Sequence, residues 1–445
     1  MKRILVLGAG LSTTSLINYL LEKSVDHGWQ IILGDIDMNR AKKKIEGHIN
    51  GVAVSFDIFN EEQRDLFISS SDIVVSMLPA RMHHLVAISC LKHRKHLVTA
   101  SYVSEEIKQM NAQARKLGIL FLNEVGLDPG IDHMSAMKMI DRIRTAGGKL
   151  DIFESNTGGL VAPGSDNNPW RYKFTWNPRN VILAGQNGAR FLHNGKFKYI
   201  PYHKIFQRYE IIRVLDLGEF EVYPNRDSLK YKEEYGLGEI STMFRGTIRR
   251  PGFCDAWDAL VQIGATDDSY VVEFPGEMTY RDFTNSFIAY NVTDPLETKL
   301  ARYLNIPLEG EIMKKLEWLG LFDRKPVDIK NQTPARILQH LLQEKWKLDP
   351  EDKDMIVMQH QFEYILKDKR YRTVTSLVVT GKDSHETAMS ITVGLPVGIA
   401  VRLILEGKIM STGVMIPTVP EFYEPILSEL EEHGIRFIET GDPLR

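Results

Sequence analysis

Residues 3–14 read RILVLGAGLSTT, and this stretch decides the fold. Ile4 to Leu7 form a short apolar run that ends on Gly8, and the following segment from Ser12 to Lys23 carries Leu16, Ile17, Leu20 and Leu21 at helical spacing. That is a strand, a tight turn and a helix. The turn GAGLST holds Gly8 and Gly10 of a GxGxxG pattern, with Thr13 where the third glycine would stand. Gly8 permits the turn, and Gly10 lets the backbone approach a pyrophosphate resting on the amides of the helix N-terminus, where Leu11 and Ser12 lie. A GxG alone is weak, but directly after the first strand of a βαβ unit it predicts a dinucleotide site.

Working outward, the runs WQIILGDID (29–37), DIVVSMLP (72–79), HLVTAS (96–101) and GILFLNE (118–124) each stand next to a segment of helical spacing. Five strands alternating with helices predict an α/β fold, a Rossmann doubly wound parallel sheet, with ligands at the strands' carboxyl ends. After Gly126 the pattern turns to longer segments rich in Trp, Tyr, Asn and Pro, which predicts a mixed α/β domain of mostly antiparallel strands. LETKLARYL, GEIMKKLEWLGL, TPARILQHLLQEKW and DKDMIVMQHQFEYIL all have helical spacing and predict a small helical domain. The expected organisation is residues 1–125 with 400–445 for dinucleotide binding, 126–290 with 367–399 for substrate and dimerisation, and 291–366 for the helical domain. The closing helices and the strand HGIRFIE are expected to pack back on the first domain.

A chain of 445 residues is too long for one hydrophobic core, so two or three domains are expected. Lys and Arg number 55 against 58 Asp and Glu, which argues against a nucleic-acid footprint. Cys90 and Cys254 are the two cysteines and lie far apart, as in a reducing compartment without a disulfide framework. The start MKRILVLGAG reaches glycine too soon for a signal peptide and predicts a mature cytoplasmic start. AMSITVGLPVGIAVRLIL (388–405) has nearly the length of a membrane span, but Gly394, Pro396, Gly398 and Arg402 within it predict a buried helix broken at GLP, and no membrane partner is expected.

The second strand ends in GDIDMNR. An acidic side chain at that point hydrogen-bonds the adenosine ribose and repels a 2′-phosphate, so Asp35 points to NAD, whereas Arg40 would neutralise the phosphate and points to NADP. MLPARMHH (77–84) is expected across the cofactor from the glycine turn, which brings in Leu78 and Pro79. The crowded turn NEVGLDPGIDHM (123–134) has the residue types of a metal site, an acid/base pair or a substrate cradle.

Together with TASYVSEE (99–106) and YPNRDS (223–228), that turn makes the chain similar to the saccharopine reductases, the glutamate-forming saccharopine dehydrogenases. The resemblance runs over the whole length, through GGLVAPGSDNNPWRYKFTW (158–176), RGTIRRPGF (245–253) and HETAMSITVGLP (385–396). It implies a Rossmann domain, a mixed-sheet substrate and dimerisation domain, a helical domain and a homodimer. It further implies reversible, NADP-dependent hydride transfer between saccharopine and the imine of L-glutamate with 2-aminoadipate 6-semialdehyde, in lysine metabolism. By matching motifs, Ser101, Tyr102, Asp128, Arg226, Thr247 and Arg249 line the substrate site, and Gly8, Gly10, Leu127 and Pro129 lie along the cofactor. The sequence departs from the family at Asp35 and Ile36, where a phosphate-reading arginine is expected.

On this reading Asp128 holds a substrate ammonium, and no metal is required, because hydride transfer to an imine needs no Lewis acid. Asp132 and His133 are read as capping the helix that starts there. Arg226 and Arg249 are the carboxylate clamps, since a guanidinium offers two parallel donors. Trp170, Tyr172 and Trp176 form an apolar lid or core, with Trp176 counted among the cofactor residues. Tyr172 and Lys173 are the candidates for proton handling. Two alternatives stand beside this one: an imine reductase of the carboxynorspermidine dehydrogenase kind, and a non-catalytic dinucleotide-binding dimer. The retained substrate motifs on three segments speak against the second.

Overall fold

The structure, a computed structural model, describes residues 1–274 and 276–443. The chain divides into two compact units: Met1–Lys149 with Ile365–Lys369 and Leu377–Ile438, and Leu150–Tyr364 with Arg370–Ser376 and the chain end from Glu439. The first unit thus takes in 126–149 and all of 377–399, which the sequence reading assigned to the second domain.

In the first unit the apolar runs become β1 (Lys2–Leu7), β2 (Trp29–Asp35), β3 (Gly51–Ser55), β4 (Ile73–Ser76), β5 (His96–Val98) and β6 (Leu120–Leu122). Their order in the sheet is β6-β5-β4-β1-β2-β3, with the strand Gly413–Met415 added beside β6, and every pairing is parallel. β4 and β6 are buried throughout, as strands covered on both faces require. β3 is a sixth strand that the sequence reading passed over, because GVAVS is short and only partly buried at the sheet edge. The intervening helices are α1 (Thr14–His27), α2 (Met38–Ile45), α3 (Glu61–Ser69), α4 (His83–His93), α5 (Glu105–Gln109), α6 (Asn111–Leu117) and α7 (Ile131–Thr145). The sheet order reverses between β1 and β4. That switch point fixes the ligand crevice at the carboxyl ends of those two strands.

The helix Ala388–Leu405 packs on α1, with Ser390 Oγ 3.0 Å from Ser15 Oγ. Contrary to expectation it is unbroken, with Pro396 inside it. Its glycines serve close approach instead: a Cβ on Gly394 would stand 2.7 Å from Leu16 N, and one on Gly398 2.6 Å from the Tyr19 ring. Among the described residues it is the one helix long and apolar enough to cross a membrane, and 78% of it is buried inside the protein. The helix Pro420–Glu432 also packs in this unit, where Tyr423 donates to Asp141 Oδ2 over 2.8 Å on α7.

The second unit is built on β7 (Lys149–Val161), β8 (Ala189–His193), β9 (Lys196–Ile200), β10 (Glu210–Arg213), β11 (Glu219–Pro224), β12 (Thr242–Arg249), β13 (Asp354–Leu366) and β14 (Lys369–Thr380). They form a mixed sheet in the order β10-β11-β12-β7-β13-β14, with the β8-β9 hairpin on β12. β12 runs parallel to β7 and antiparallel to β11. The strand Ile438–Pro443 extends this sheet beside β14, so the end of the HGIRFIE segment does not join the first sheet as expected. Residues 354–366 are also a strand and not the expected helix, since QHQFEY alternates with period two after the β-branched pair Ile356 and Val357. The helices Leu296–Leu304, Glu311–Leu319 and Pro334–Lys345 do form, and they share one core with the helix Phe253–Gln262 and the aromatics Trp170, Tyr172 and Trp346.

Candidate active site

The two glycines of the turn after β1 differ in what requires them. Gly8 has φ +104°, and a Cβ there would stand 2.8 Å from the carbonyl oxygen of Met77 at the end of β4. Gly10 is different, since its φ of −67° suits any residue and nothing lies within 4 Å of where its Cβ would be. Neither backbone conformation nor protein packing requires a glycine at that position. Open space in front of a helix N-terminus is the cradle a pyrophosphate needs, so the residues present fit a dinucleotide. Leu11 is 70% exposed on the same turn, Ser12 and Leu78 are half-buried and Pro79 is exposed.

Asp35 corrects the sequence reading. It is 8% exposed, its Oδ2 accepts from the amide of Ala9 over 2.7 Å, and its Oδ1 accepts from the amide of Asp37 over 2.8 Å. The carboxylate therefore braces the glycine turn, so the argument from Asp35 to NAD no longer rests on a free side chain. Beyond it Asp37 caps α2 by accepting from the amides of Asn39 and Arg40. Arg40 lies 3.9 Å from Asp37 Oδ2 and is 55% exposed at its side chain. Lys44, one turn further along α2, donates to Thr14 Oγ1 over 2.6 Å.

The loops after β5 and β6 are fastened together by Glu124. Its amide donates to the Ser101 carbonyl, its Oε1 accepts from the amide of Val103 over 3.0 Å, and its Oε2 lies 2.8 Å from His133 Nε2. Glu124 and His133 are both fully buried. Asp132 does not cap α7 in the usual sense; its Oδ1 accepts from the amide of Gly130 over 2.6 Å and so tightens the turn. Among residues 121–134 only Asp128 escapes burial, Leu127 and Pro129 being buried on either side. The Tyr102 hydroxyl donates to Asp128 Oδ1 over 3.2 Å. Ser101, Tyr102 and Asp128, named separately from sequence, thus share one end of the first sheet.

His83 was missed. It begins α4 and is 2% exposed, with Nδ1 2.8 Å from Ser76 Oγ on β4 and Nε2 2.8 Å from Ser101 Oγ. Burial pushes it down to about 4, so its ring is neutral at physiological pH. Only its place in MLPARMHH, at the cofactor side of β4, pointed towards it.

In the second unit, register and the two-residue period put Thr157 of β7, Thr247 and Arg249 of β12 and Tyr223 of β11 on one sheet face. Arg249 is 4% exposed, with the rings of Tyr172, Tyr223 and Phe253 at 5.1, 5.7 and 5.2 Å from its guanidinium carbon. It donates from Nη1 to the Ile248 carbonyl, while its Nε makes no hydrogen bond and no carboxylate pairs with it among the described residues. Thr157 Oγ1 is likewise buried without a partner among the described residues. Burial raises Tyr172 and Tyr223, which keeps both as neutral phenols. A buried cation of this kind calls for an anion.

Arg226 is exposed, has φ +50° and lines a cavity of about 590 Å³ with Asn187, Arg190, Tyr199 and Asp227. Of the two expected proton handlers, Tyr172 stands in the aromatic cluster beside Arg249. Lys173 is buried in ion pairs with Asp352 at 2.5 Å and Asp349 at 3.4 Å, a structural role that removes it from the pair. Trp176 is half-buried against the aromatic core of this unit.

Residues 4–122 match the model of the saccharopine dehydrogenase NADP binding domain, and residues 126–435 match that of the saccharopine dehydrogenase C-terminal domain. Saccharopine dehydrogenase [NADP(+), L-glutamate-forming] of Schizosaccharomyces pombe is 32% identical over 448 residues, 99% of this chain and 99% of the relative. Alpha-aminoadipic semialdehyde synthase of Arabidopsis thaliana is 34% identical over 93% of this chain, which spans 41% of that longer protein. The solved apo structure of saccharopine dehydrogenase (L-Glu forming) from Saccharomyces cerevisiae superposes with a TM-score of 0.90 at 30% identity, covering 99% of this chain and all of that one. With both family models matched in sequence order and the fold preserved end to end, the chain belongs to the saccharopine dehydrogenase family.

Proposed function

We infer that the protein is an NADP-dependent, L-glutamate-forming saccharopine dehydrogenase. The observation that carries this reading is Arg249, a buried guanidinium with an unsatisfied Nε on a chain similar over its whole length to enzymes of that name. Saccharopine has three carboxylates and a secondary amine, so it offers the anion that Arg249 lacks. In the oxidative direction the carbon beside the secondary amine loses a hydride, the nitrogen loses its proton, and water cleaves the imine to glutamate and the semialdehyde. When bound, NADP supplies the hydride acceptor, or the donor in the reverse direction. The backbone at Gly10 gives the pyrophosphate room. In the first unit Asp128, oriented by the Tyr102 hydroxyl, is suited to hold an ammonium, and in the second unit Arg249 and Arg226 are suited to hold carboxylates. A homodimer and a cytoplasmic location belong to the same proposal; the two free, buried cysteines support a reducing compartment.

The test is a steady-state assay of the purified protein with saccharopine and either NADP or NAD, run also in reverse with glutamate, the semialdehyde and the reduced cofactor. Turnover with saccharopine and NADP is expected. Turnover of carboxynorspermidine in place of saccharopine, or NADP binding without any turnover, overturns the reading.

A further inference from the structure

His83 joins two residues that otherwise have no reason to be linked. Ser76 at the end of β4 is wholly buried, and its hydroxyl has one partner, His83 Nδ1. On the other side of the ring, Nε2 meets Ser101 Oγ, and Ser101 is half-buried at the head of the loop after β5. A neutral imidazole donates from one nitrogen and accepts at the other. Were Nδ1 to carry the proton, the Ser76 hydroxyl hydrogen would be buried with no acceptor, at the cost of an unsatisfied polar group. The arrangement that satisfies every group has Ser76 donating to Nδ1 and Nε2–H donating to Ser101 Oγ. The Ser101 hydroxyl hydrogen is then left to point away from the ring, towards an acceptor that none of the described residues supplies.

We propose that His83 is a positioning residue that holds the Ser101 hydroxyl as a hydrogen-bond donor to a carboxylate oxygen of the substrate. This rests on the reading under which Ser101 lines the saccharopine site. His83 touches neither substrate nor cofactor; it fixes which way Ser101 donates. Ser76, buried behind the ring, sets the tautomer and so acts on the same hydrogen bond from two residues away. Burial, which keeps the ring neutral, is what lets one nitrogen stay an acceptor for Ser76.

The experiment measures saccharopine KM, kcat and NADP affinity for the full-length variants His83→Phe, His83→Gln, Ser76→Ala, Ser101→Ala and the double variant His83→Phe with Ser101→Ala, with melting temperatures alongside. Loss of a hydrogen bond to a charged group predicts about a 10-fold rise in saccharopine KM for Ser101→Ala and for His83→Phe, with NADP affinity unchanged. The double variant should be no worse than the worse single one, because both remove one hydrogen bond. The amide of glutamine reaches the place of Nε2, so His83→Gln should recover much of the loss. Ser76→Ala frees the tautomer and should raise KM although it leaves both His83 and Ser101 in place. Additive effects in the double variant, or a wild-type KM for Ser76→Ala together with His83→Gln as poor as His83→Phe, overturn the proposal. If Ser101→Ala by itself keeps the wild-type saccharopine KM while the enzyme still turns saccharopine over, the placement of Ser101 falls and the role of His83 with it, while the proposed function stands. No turnover of saccharopine by the wild-type protein would instead bring down the function.

Discussion

The amide of Ala9 donates to Asp35 Oδ2 over 2.7 Å, so a buried carboxylate at the end of β2 fastens the glycine turn that follows β1. The same side chain accepts from the amide of Asp37 and so sets the start of α2. Removing it leaves two backbone donors without their acceptor: the buried Ala9 amide, which costs about 1–3 kcal/mol unsatisfied, and the part-buried Asp37 amide, which water can reach. Asp35→Ala is therefore expected to lower the melting temperature and to weaken NADP and NAD together, with their ratio unchanged. Calorimetric titration with both dinucleotides checks this; a selective gain for NADP would restore Asp35 as a ribose reader.

Selection of NADP is then expected of α2, which carries Arg40 and Lys44. Burial, followed by the charge of Arg40, pushes Lys44 down to about 8. A 2′-phosphate bound beside Arg40 and Lys44 favours the charged amine and moves it back up. The sign follows: at a pH just above 8 the free protein holds Lys44 partly deprotonated, so NADP binding takes up protons and NAD binding does not. Titrations in buffers of different ionisation enthalpy measure the uptake. Equal uptake for the two dinucleotides would place the phosphate elsewhere. Arg40→Ala is expected to weaken NADP while leaving NAD alone.

The two glycines of the turn separate fold from function. Gly10→Val adds a side chain in an ordinary backbone conformation facing open space, so the melting temperature should hold while dinucleotide affinity collapses. Gly8→Ala puts a Cβ at positive φ, 2.8 Å from the Met77 carbonyl, and should destabilise the protein itself. A folded Gly10→Val protein with wild-type NADP affinity would remove the cofactor assignment.

Local pattern was enough to read five strands of the first sheet, because each is an apolar run ending where the chain must turn, whereas the short edge strands β3 and Gly413–Met415 carry too little of it. It was not enough where one letter serves two structures. An aspartate at the end of β2 reads the same whether its carboxylate faces a ribose or, as here, the amide of Ala9. The glycines and proline of 388–405 read as a break, yet Gly394 and Gly398 let that helix approach Leu16 and Tyr19, a contact that sequence spacing does not reveal. Residues 354–366 carry enough apolar side chains to satisfy a helical period as well as a strand's, and the neighbouring strands β7 and β14 decide between them. Arg249 could be named from its motif as a candidate clamp, but its want of an ion-pair partner could not be read there, since that depends on the three rings that enclose it.

Arg249 offers the sharpest separation of stability from function. A guanidinium without an ion-pair partner at 4% exposure is held against its desolvation by aromatic faces and one hydrogen bond to the Ile248 carbonyl. Replacing such a charge with an apolar side chain of similar length commonly leaves a protein as stable or more so. Arg249→Met is therefore expected to keep or raise the melting temperature. Saccharopine binding should move the other way, because removing one member of a desolvated charge pair costs about 2–5 kcal/mol. Arg249→Lys should recover only part of that loss, as an ammonium keeps the charge but not the two-pronged donor. Arg226, which is exposed, should show a smaller loss on Arg226→Ala, since solvent screens its contribution. NADP affinity should stay at the wild-type level in all of these variants. A less stable Arg249→Met protein with wild-type saccharopine KM would mean that the guanidinium serves the aromatic core, and the carboxylate clamp would have to be sought at Arg226.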